Sequence, residues 1–209
     1  NTTNQPTGIF AHEANNLGGY TDIMSSSTFT ANSVNHQYFV CKSGNGSAIS
    51  DIEFNLRGDG NAYADGSWNG GGADYAEYFE WEDGNTNNED RVGHSVALIN
   101  NKIKIAEDGD TIIGVISGNP SVVGDDAWNS WANKYLKDDY GRYLRDENGH
   151  RTPNPAYDDT LTYVNREDRV EWDVVGLMGK LRIKKGQKTN PSWIKLRDIS
   201  DLVEEWLIK

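Results

Sequence analysis

The sequence predicts a mainly β protein: an extended, intertwined β stalk followed by a compact β-barrel- or sandwich-like domain with one or two short helices. Three observations carry that expectation. Glycine is abundant (22 residues), proline is scarce (5) and aromatics reach 11%, a profile of ordered β structure, since disordered chains lack aromatics. Short β-forming runs alternate with Gly-Asn and Gly-Asp turns. Composition also changes once, at "WNGGGA" (68–73). Residues 1–72 hold only two basic residues, Lys42 and Arg57, and one tryptophan, Trp68; the remainder holds the other six tryptophans and eighteen Lys and Arg. The seam divides a β-rich stalk segment (1–72) from a second domain (73–209).

In the first segment, "QYFVCK" (37–42), "ISDIEFNL" (49–56) and "NAYADGSW" (61–68) read as short strands, separated by "SGNGS" and "RGDGN" turns. None is long enough to bury a core alone, which suits an oligomer in which each chain supplies one face. The tripeptide "RGD" (57–59), followed by Gly60 and Asn61, reads as a β-turn and no integrin motif. In the second domain, "HSVALINNKIKIAEDGDTIIGVISG" (94–118) holds three β-rich runs, with hairpin signals at Asn100–Asn101 and at 107–110. "EWDVVGLMGKLRIKKGQ" (171–187) partly echoes it, each copy having a β-branched pair, a glycine, two apolar residues and a small one; the glycines are expected at tight bends. "DDAWNSWANKYL" (125–136) is expected to be helical, capped by Asp125 or Asp126, with Trp128, Trp131, Ala132 and Tyr135 on one face. A polar surface excursion over 137–170 follows. Ile199, Leu202, Val203, Trp206 and Leu207 have the spacing of a short C-terminal helix.

Net charge is −12, with pI near 4.7. Such a surface repels a phosphate backbone, and the basic run at 179–188 alternates with apolar residues, as a strand with one solvated face does, so no nucleic acid is expected. No apolar run is long enough to span a bilayer, so no membrane partner is expected. One cysteine, Cys41, allows no internal disulfide and fits folding in a reducing cytoplasm. The start, "NTTNQPTGIF", lacks a signal-peptide pattern and an initiator Met, and reads as a fragment. The four histidines have no zinc spacing, and "DGNTNNED" (83–90) lacks the glycine and the final glutamate of an EF-hand, so no metal or cofactor is expected.

Asp74 and Glu77 follow the glycine run at i and i+3. On a helical turn the two carboxylates share a face and could divide acid and base roles, as amide hydrolysis requires; on a strand they point to opposite faces. Periodicity alone leaves both readings open, together with a bland one in which Tyr75, Tyr78, Phe79 and Trp81 pack inward and the acids solvate an edge.

Taken together, "GGGADYAEYFEWEDGNTNNEDRVG", "IIGVISGNPSVVGD", "WNSWANKYLKDDYGRY" and "VEWDVVGLMGKLRIKKGQ" resemble the autoproteolytic intramolecular chaperone domain, of the glutamic-peptidase type (Peptidase_G2-like), found at the C-terminus of phage neck-appendage and tail-fibre proteins. The resemblance runs from about residue 72 to the end. It implies a homotrimer in which the domain helps three chains fold their stalk. The domain then cuts itself off before its first Asp, at Ala73–Asp74, with Asp74 and Glu77 as catalytic residues. It further implies partners among other phage virion proteins, folding and processing in the host cytoplasm, and residence on the virion. Some members carry Ser before that Asp; here it is Ala73. The alternative is a non-cleaving tip retained on the virion and binding host-surface glycan through Trp128 and Trp131.

Overall fold

A computed structural model describes residues 33–45 and 48–209. The expected stalk before residue 33, and the last two residues of the "SGNGS" turn, lie outside the described residues. The described residues form two compact units, one of residues 33–45, 48–67 and 135–153, the other of residues 68–134 and 154–209. The first unit thus takes an insert from the second half of the chain, a partition that composition does not show.

In the first unit, β1 (Gln37–Asn45), β2 (Ala48–Arg57) and β3 (Ala62–Ala64) form an antiparallel three-stranded sheet, in the order β1-β2-β3. Its apolar side chains do not close a core. Phe39 is 56% exposed, Ile52, Leu56 and Tyr63 are exposed too, and every buried apolar residue among those described belongs to the second unit. The "RGDG" turn is a structural one, with Asp59 buried.

The insert is a small self-bonded trefoil. "KDDYGRYL" (137–144) and "RDENGHRT" (145–152) are tandem eight-residue repeats. In each, an Asp side chain accepts from two backbone N–H groups ahead of it: Asp138 from Tyr140 and Arg142, and Asp146 from Asn148 and His150. A glycine at φ 80 or 79 (Gly141, Gly149) then turns the chain, a conformation L-residues resist. Three residues eight apart close a ring of backbone bonds: Leu136 N–H donates to Thr152, Thr152 to Leu144, and Leu144 to Leu136, at 2.9 to 3.0 Å. Bridges Tyr135–Pro153, Lys137–Tyr143 and Arg145–Arg151 repeat the pattern at its three sides.

The second unit is an eight-stranded open sheet. Its strands are β4 (Asp74–Glu80), β5 (Ser95–Ile99), β6 (Lys102–Ile105), β7 (Ile112–Ile116), β8 (Val122–Gly124), β9 (Trp172–Lys184), β10 (Ile194–Asp198) and β11 (Val203–Ile208). The order is β10-β11-β9-β7-β5-β6, with β4 pairing β9 and β8. All pairs are antiparallel except β4–β8. The 13-residue β9 is the spine, and the two echoing sequences are neighbours, Val115 opposite Gly176. Two apolar clusters fill the interior, one around Val115, Leu181 and Ile183, the other around Trp81, Ile103 and Val175. The mainly β class is as expected, with the sheets open and no closed barrel.

Both expected helices are absent; the one helical element among the described residues is a 3-10 turn at Arg166–Asp168. Residues 125–136 fold as successive turns because Asp125, Ala127 and Asn129 sit at positive φ. The Tyr163 hydroxyl also donates to Ala127 O (2.5 Å), which a helix would reserve for its own N–H. The aromatic stripe is divided: Trp128 is 65% exposed, while Trp131 stacks edge-on with Tyr163. The C-terminal segment is β11, because β9 offers it an unpaired edge over residues 179–184, and pairing there overrides local helical spacing. Asn100 and Asn101, at φ 48 and 65, make the expected hairpin between β5 and β6. The 107–110 turn makes none, since β7 pairs with β5 rather than β6.

Candidate functional site

The Ala73–Asp74 peptide lies where the chain enters β4, and backbone bonds fix it on both sides. Ala73 O accepts from Lys180 N–H (3.1 Å), and Asp74 O accepts from Ser121 N–H (2.7 Å). The glycines around it provide room. Gly179, at φ +117, lies so close that an added Cβ would fall 2.4 Å from Ala73 O and 2.8 Å from Asp74 Cα. At Gly176 a Cβ would meet Leu181 Cδ2 at 2.1 Å and Asp74 Oδ2 at 2.8 Å. In the seam itself, a Cβ on Gly72 would sit 2.3 Å from the Pro120–Ser121 backbone, and one on Gly70 would strike Ser121. These glycines permit close approach of one backbone to another. The β9 pair, expected at tight bends, instead makes space for the carboxylate and its peptide.

Asp74 is 6% exposed. Its Oδ2 is buried without a hydrogen-bond partner. Burial pushes its carboxyl above the ordinary aspartate range, opposed by the nearby Ser117 hydroxyl. A cavity of about 480 Å³, lined by Gly71, Ala73, Asp74, Ser117 and Lys180 among others, opens on this bond. A shallower one of about 310 Å³, lined by Gly72, Tyr75, Val122 and Met178, opens on its other side.

Glu77 is not brought to Asp74 within the chain. Both lie on a strand, and odd spacing sends them to opposite faces; Asp74 and Ala76 are buried, Tyr75 and Glu77 half-buried. Tyr75 Oη donates to Glu77 Oε1 (2.5 Å), and both side chains pack over Gly124. Met178 and Val122, paired with Tyr75 in the sheet, belong to this face and are 58% and 55% exposed. The helical-turn arrangement of the acids is thus replaced by a two-faced one, because β9 captures residues 74–80 as a strand. Ser117 and Lys180 were missed by the sequence reading; Lys180 acts through its main chain, which no residue type signals. The glycines of "VVGLMGK" were the available hint.

Elsewhere, Asp83 of the EF-hand-like run is engaged by the Arg91 guanidinium at 2.7 and 3.0 Å, an ion-paired turn. No group of three or more His, Cys, Asp or Glu that could hold a metal occurs among the described residues.

A buried carboxyl with one oxygen unpartnered thus lies beside a peptide fixed on both sides and an open cavity. Residues 21–153 and 150–205 match the profile of Peptidase_G2, the IMC autoproteolytic cleavage domain, and the chain belongs to that family. It is 36% identical over 121 residues to the pre-neck appendage protein of Bacillus phage B103, and 35% over 120 residues to that of Bacillus phage phi29. Each alignment covers 54% of this chain and 14% of the relative, so the chain spans about a seventh of their length. A putative phage-related protein, YobO of Bacillus subtilis, is 33% identical over 56% of this chain and 15% of its own. Among solved structures, pre-mature phi29 gene product 12 superposes with TM-score 0.66 at 27% identity, over 76% of this chain and 25% of that one. The gene product 12 C-terminal fragment superposes with TM-score 0.53 at 28% identity, over 65% of this chain and all of that one.

Proposed function

We propose that this chain is the C-terminal intramolecular chaperone of a phage fibre or appendage, which drives trimerisation and folding of its upstream β stalk and then hydrolyses its own Ala73–Asp74 bond. The observation that carries the reading is the buried Asp74 carboxyl, with one oxygen unpaired, beside a peptide whose carbonyl already accepts a main-chain N–H.

The chemistry follows from the two faces. Burial keeps Asp74 protonated at higher pH than an ordinary aspartate, which suits it to give a proton to its own amide nitrogen as that nitrogen leaves. Lys180 N–H, 3.1 Å from Ala73 O in the uncut chain, is aimed at the atom on which oxyanion charge develops. Water adds to the Ala73 carbonyl carbon and the C–N bond breaks. Ala73 gains a carboxylate, and Asp74 becomes a new amino terminus. The base that takes the proton from water is Glu77, delivered by a neighbouring copy, because the chain's own Glu77 faces away. The exposed Met178 and Val122 on that face give the copy an apolar surface to cover. Cleavage then waits for assembly.

Assembly is also what the first unit lacks. Its exposed Phe39, Ile52 and Leu56 offer an apolar face that other chains can cover, and such pairing between chains folds slowly unless a compact domain sets register. Removing that domain afterwards leaves the stalk kinetically trapped. The likeness to phage pre-neck appendage proteins supports a place on the virion among other virion proteins. In the retained-tip alternative, Trp128 alone of the two tryptophans is well exposed, so the glycan platform is reduced to one ring.

Mixed expression tests the shared site. Chains carrying Glu77→Gln and chains carrying Asp74→Asn each stay whole alone. Expressed together, the Glu77→Gln chain, which keeps Asp74, is cut by the glutamate of its neighbour. If co-expression leaves it whole while the parent cuts, the second group lies within one chain.

A further inference from the structure

Asp59 is the most heavily bonded carboxylate among the described residues. Its side chain has no exposed surface. Oδ1 accepts from Arg57 Nε (3.2 Å) and Asn61 N–H (3.3 Å). Oδ2 accepts from Arg57 Nη2 (2.7 Å), Asn61 Nδ2 (2.8 Å) and Arg145 Nη2 (3.3 Å). Its backbone carbonyl accepts from Arg151 Nη2 (2.5 Å). Arg57 and Asn61 are local, but Arg145 and Arg151 come from the trefoil insert. A second contact lies beside the first: Ser33 Oγ donates to Asn148 O (3.3 Å), and Gly149 abuts Val34, where a Cβ would meet Cγ2 at 3.1 Å.

Asp59 lies before the Ala73–Asp74 bond and the insert lies after it, so these contacts join the two products of cleavage. We infer that residues 135–153 are a latch, an arginine-bearing docking surface on the C-terminal product whose partner is the buried Asp59 turn of the stalk product. Hydrolysis therefore leaves the pieces bound, and release is a separate step in which Arg145 and Arg151 leave Asp59. The insert suits the task because its ring of backbone bonds ties together the segments that carry both arginines, and a partly buried pair is little screened by salt. This inference rests on the cleavage reading for its purpose, though its contacts do not depend on it.

The test cuts the chain by other means. A specific protease sequence is inserted between Gly66 and Ser67, both exposed, in an Asp74→Asn background, and the nicked protein is captured by an N-terminal tag. The C-terminal piece is expected to stay bound. Asp59→Asn and Arg145→Met should each weaken retention about 100-fold, as loss of one member of a buried pair does, and the double variant no more than the worse single one. Tyr140→Ser, at the exposed tip of the same insert, should change nothing. Separation of the nicked parent overturns the latch with no variant needed, and so does undiminished retention by both single variants or a double loss equal to their product. Because an added protease makes the cut, failure here leaves self-cleavage standing, and failure of self-cleavage leaves this result intact.

Discussion

The turn around Asp59 and the seam around Asp74 each bury an aspartate, and they treat it in opposite ways. At Asp59, burial alone would raise the pKa, but Arg57 and the Asn61 N–H more than reverse it, so the carboxyl is held below the ordinary range. At Asp74, burial is opposed by Ser117 alone and the pKa stays raised. A buried charge with satisfied oxygens fixes structure; a buried carboxyl with an idle oxygen costs stability and is kept where it can transfer a proton. Burial alone therefore does not set how a carboxyl behaves; the partners of its two oxygens do.

The comparison breaks most visibly at Asp59. Asp59→Ala leaves Arg57 and Arg145 partly buried without their counter-charge, and should destabilise the first unit by about 3–5 kcal/mol, read as an earlier urea transition and as faster amide exchange at Leu136 and Leu144. Smaller, and on the other side, is Gly179→Ala. A Cβ there meets the Ala73–Asp74 backbone at positive φ, so about 1–3 kcal/mol of strain is expected, with cleavage slowed far more than the fold is weakened. If cleavage holds at the parent rate, the close approach is not part of the chemistry.

Acid sharpens the contrast, because the two aspartates respond with opposite sign. For Asp59 the folded pKa is depressed, so its contribution is full above the ordinary value of about 3.9 and is lost as pH falls through the folded value. For Asp74 the folded pKa is raised, so stability is greatest below the ordinary value and is lost as pH rises through the folded one. Asp59→Asn should therefore be less stable than the parent at neutral pH, with the gap closing in acid. Asp74→Asn should be more stable than the parent at neutral pH, with that gap closing in acid as well. Thermal melts of parent and variants across pH check both signs. The smallest effect expected is at Ser117: Ser117→Ala removes the one group that opposes the raised Asp74 pKa, so the acid limb of cleavage should extend to higher pH in a pH–rate profile.

Much of the fold was legible, and the residues show why the rest was not. The Asn-Asn hairpin was readable because positive φ at both central positions has a residue signature. Echoing sequences at 112–119 and 174–181 pointed to related strands, and these proved to be neighbours. The two helices failed for a common reason: aromatic and apolar spacing at 125–136 and 199–207 is compatible with a helix, but long-range partners decide. Tyr163 takes a carbonyl from one segment, and the open edge of β9 takes the whole of the other. The trefoil is written in the sequence as an eight-residue repeat, "KDDYGRYL" then "RDENGHRT", but its polar composition alone reads as a surface excursion. At the site, the glycine seam and the family resemblance single out Asp74, and the structure buries its carboxyl beside those glycines. The separation of Glu77 from Asp74 was not legible, since it depends on whether residues 74–80 become a strand.

The central claim is that Asp74 cuts its own bond, and intact mass spectrometry of freshly assembled protein tests it most directly. The account predicts that the parent yields a piece beginning at Asp74 and that Asp74→Asn, equally folded, stays at full length. A parent that remains whole after assembly, or an Asp74→Asn chain cut at the same bond, would contradict it.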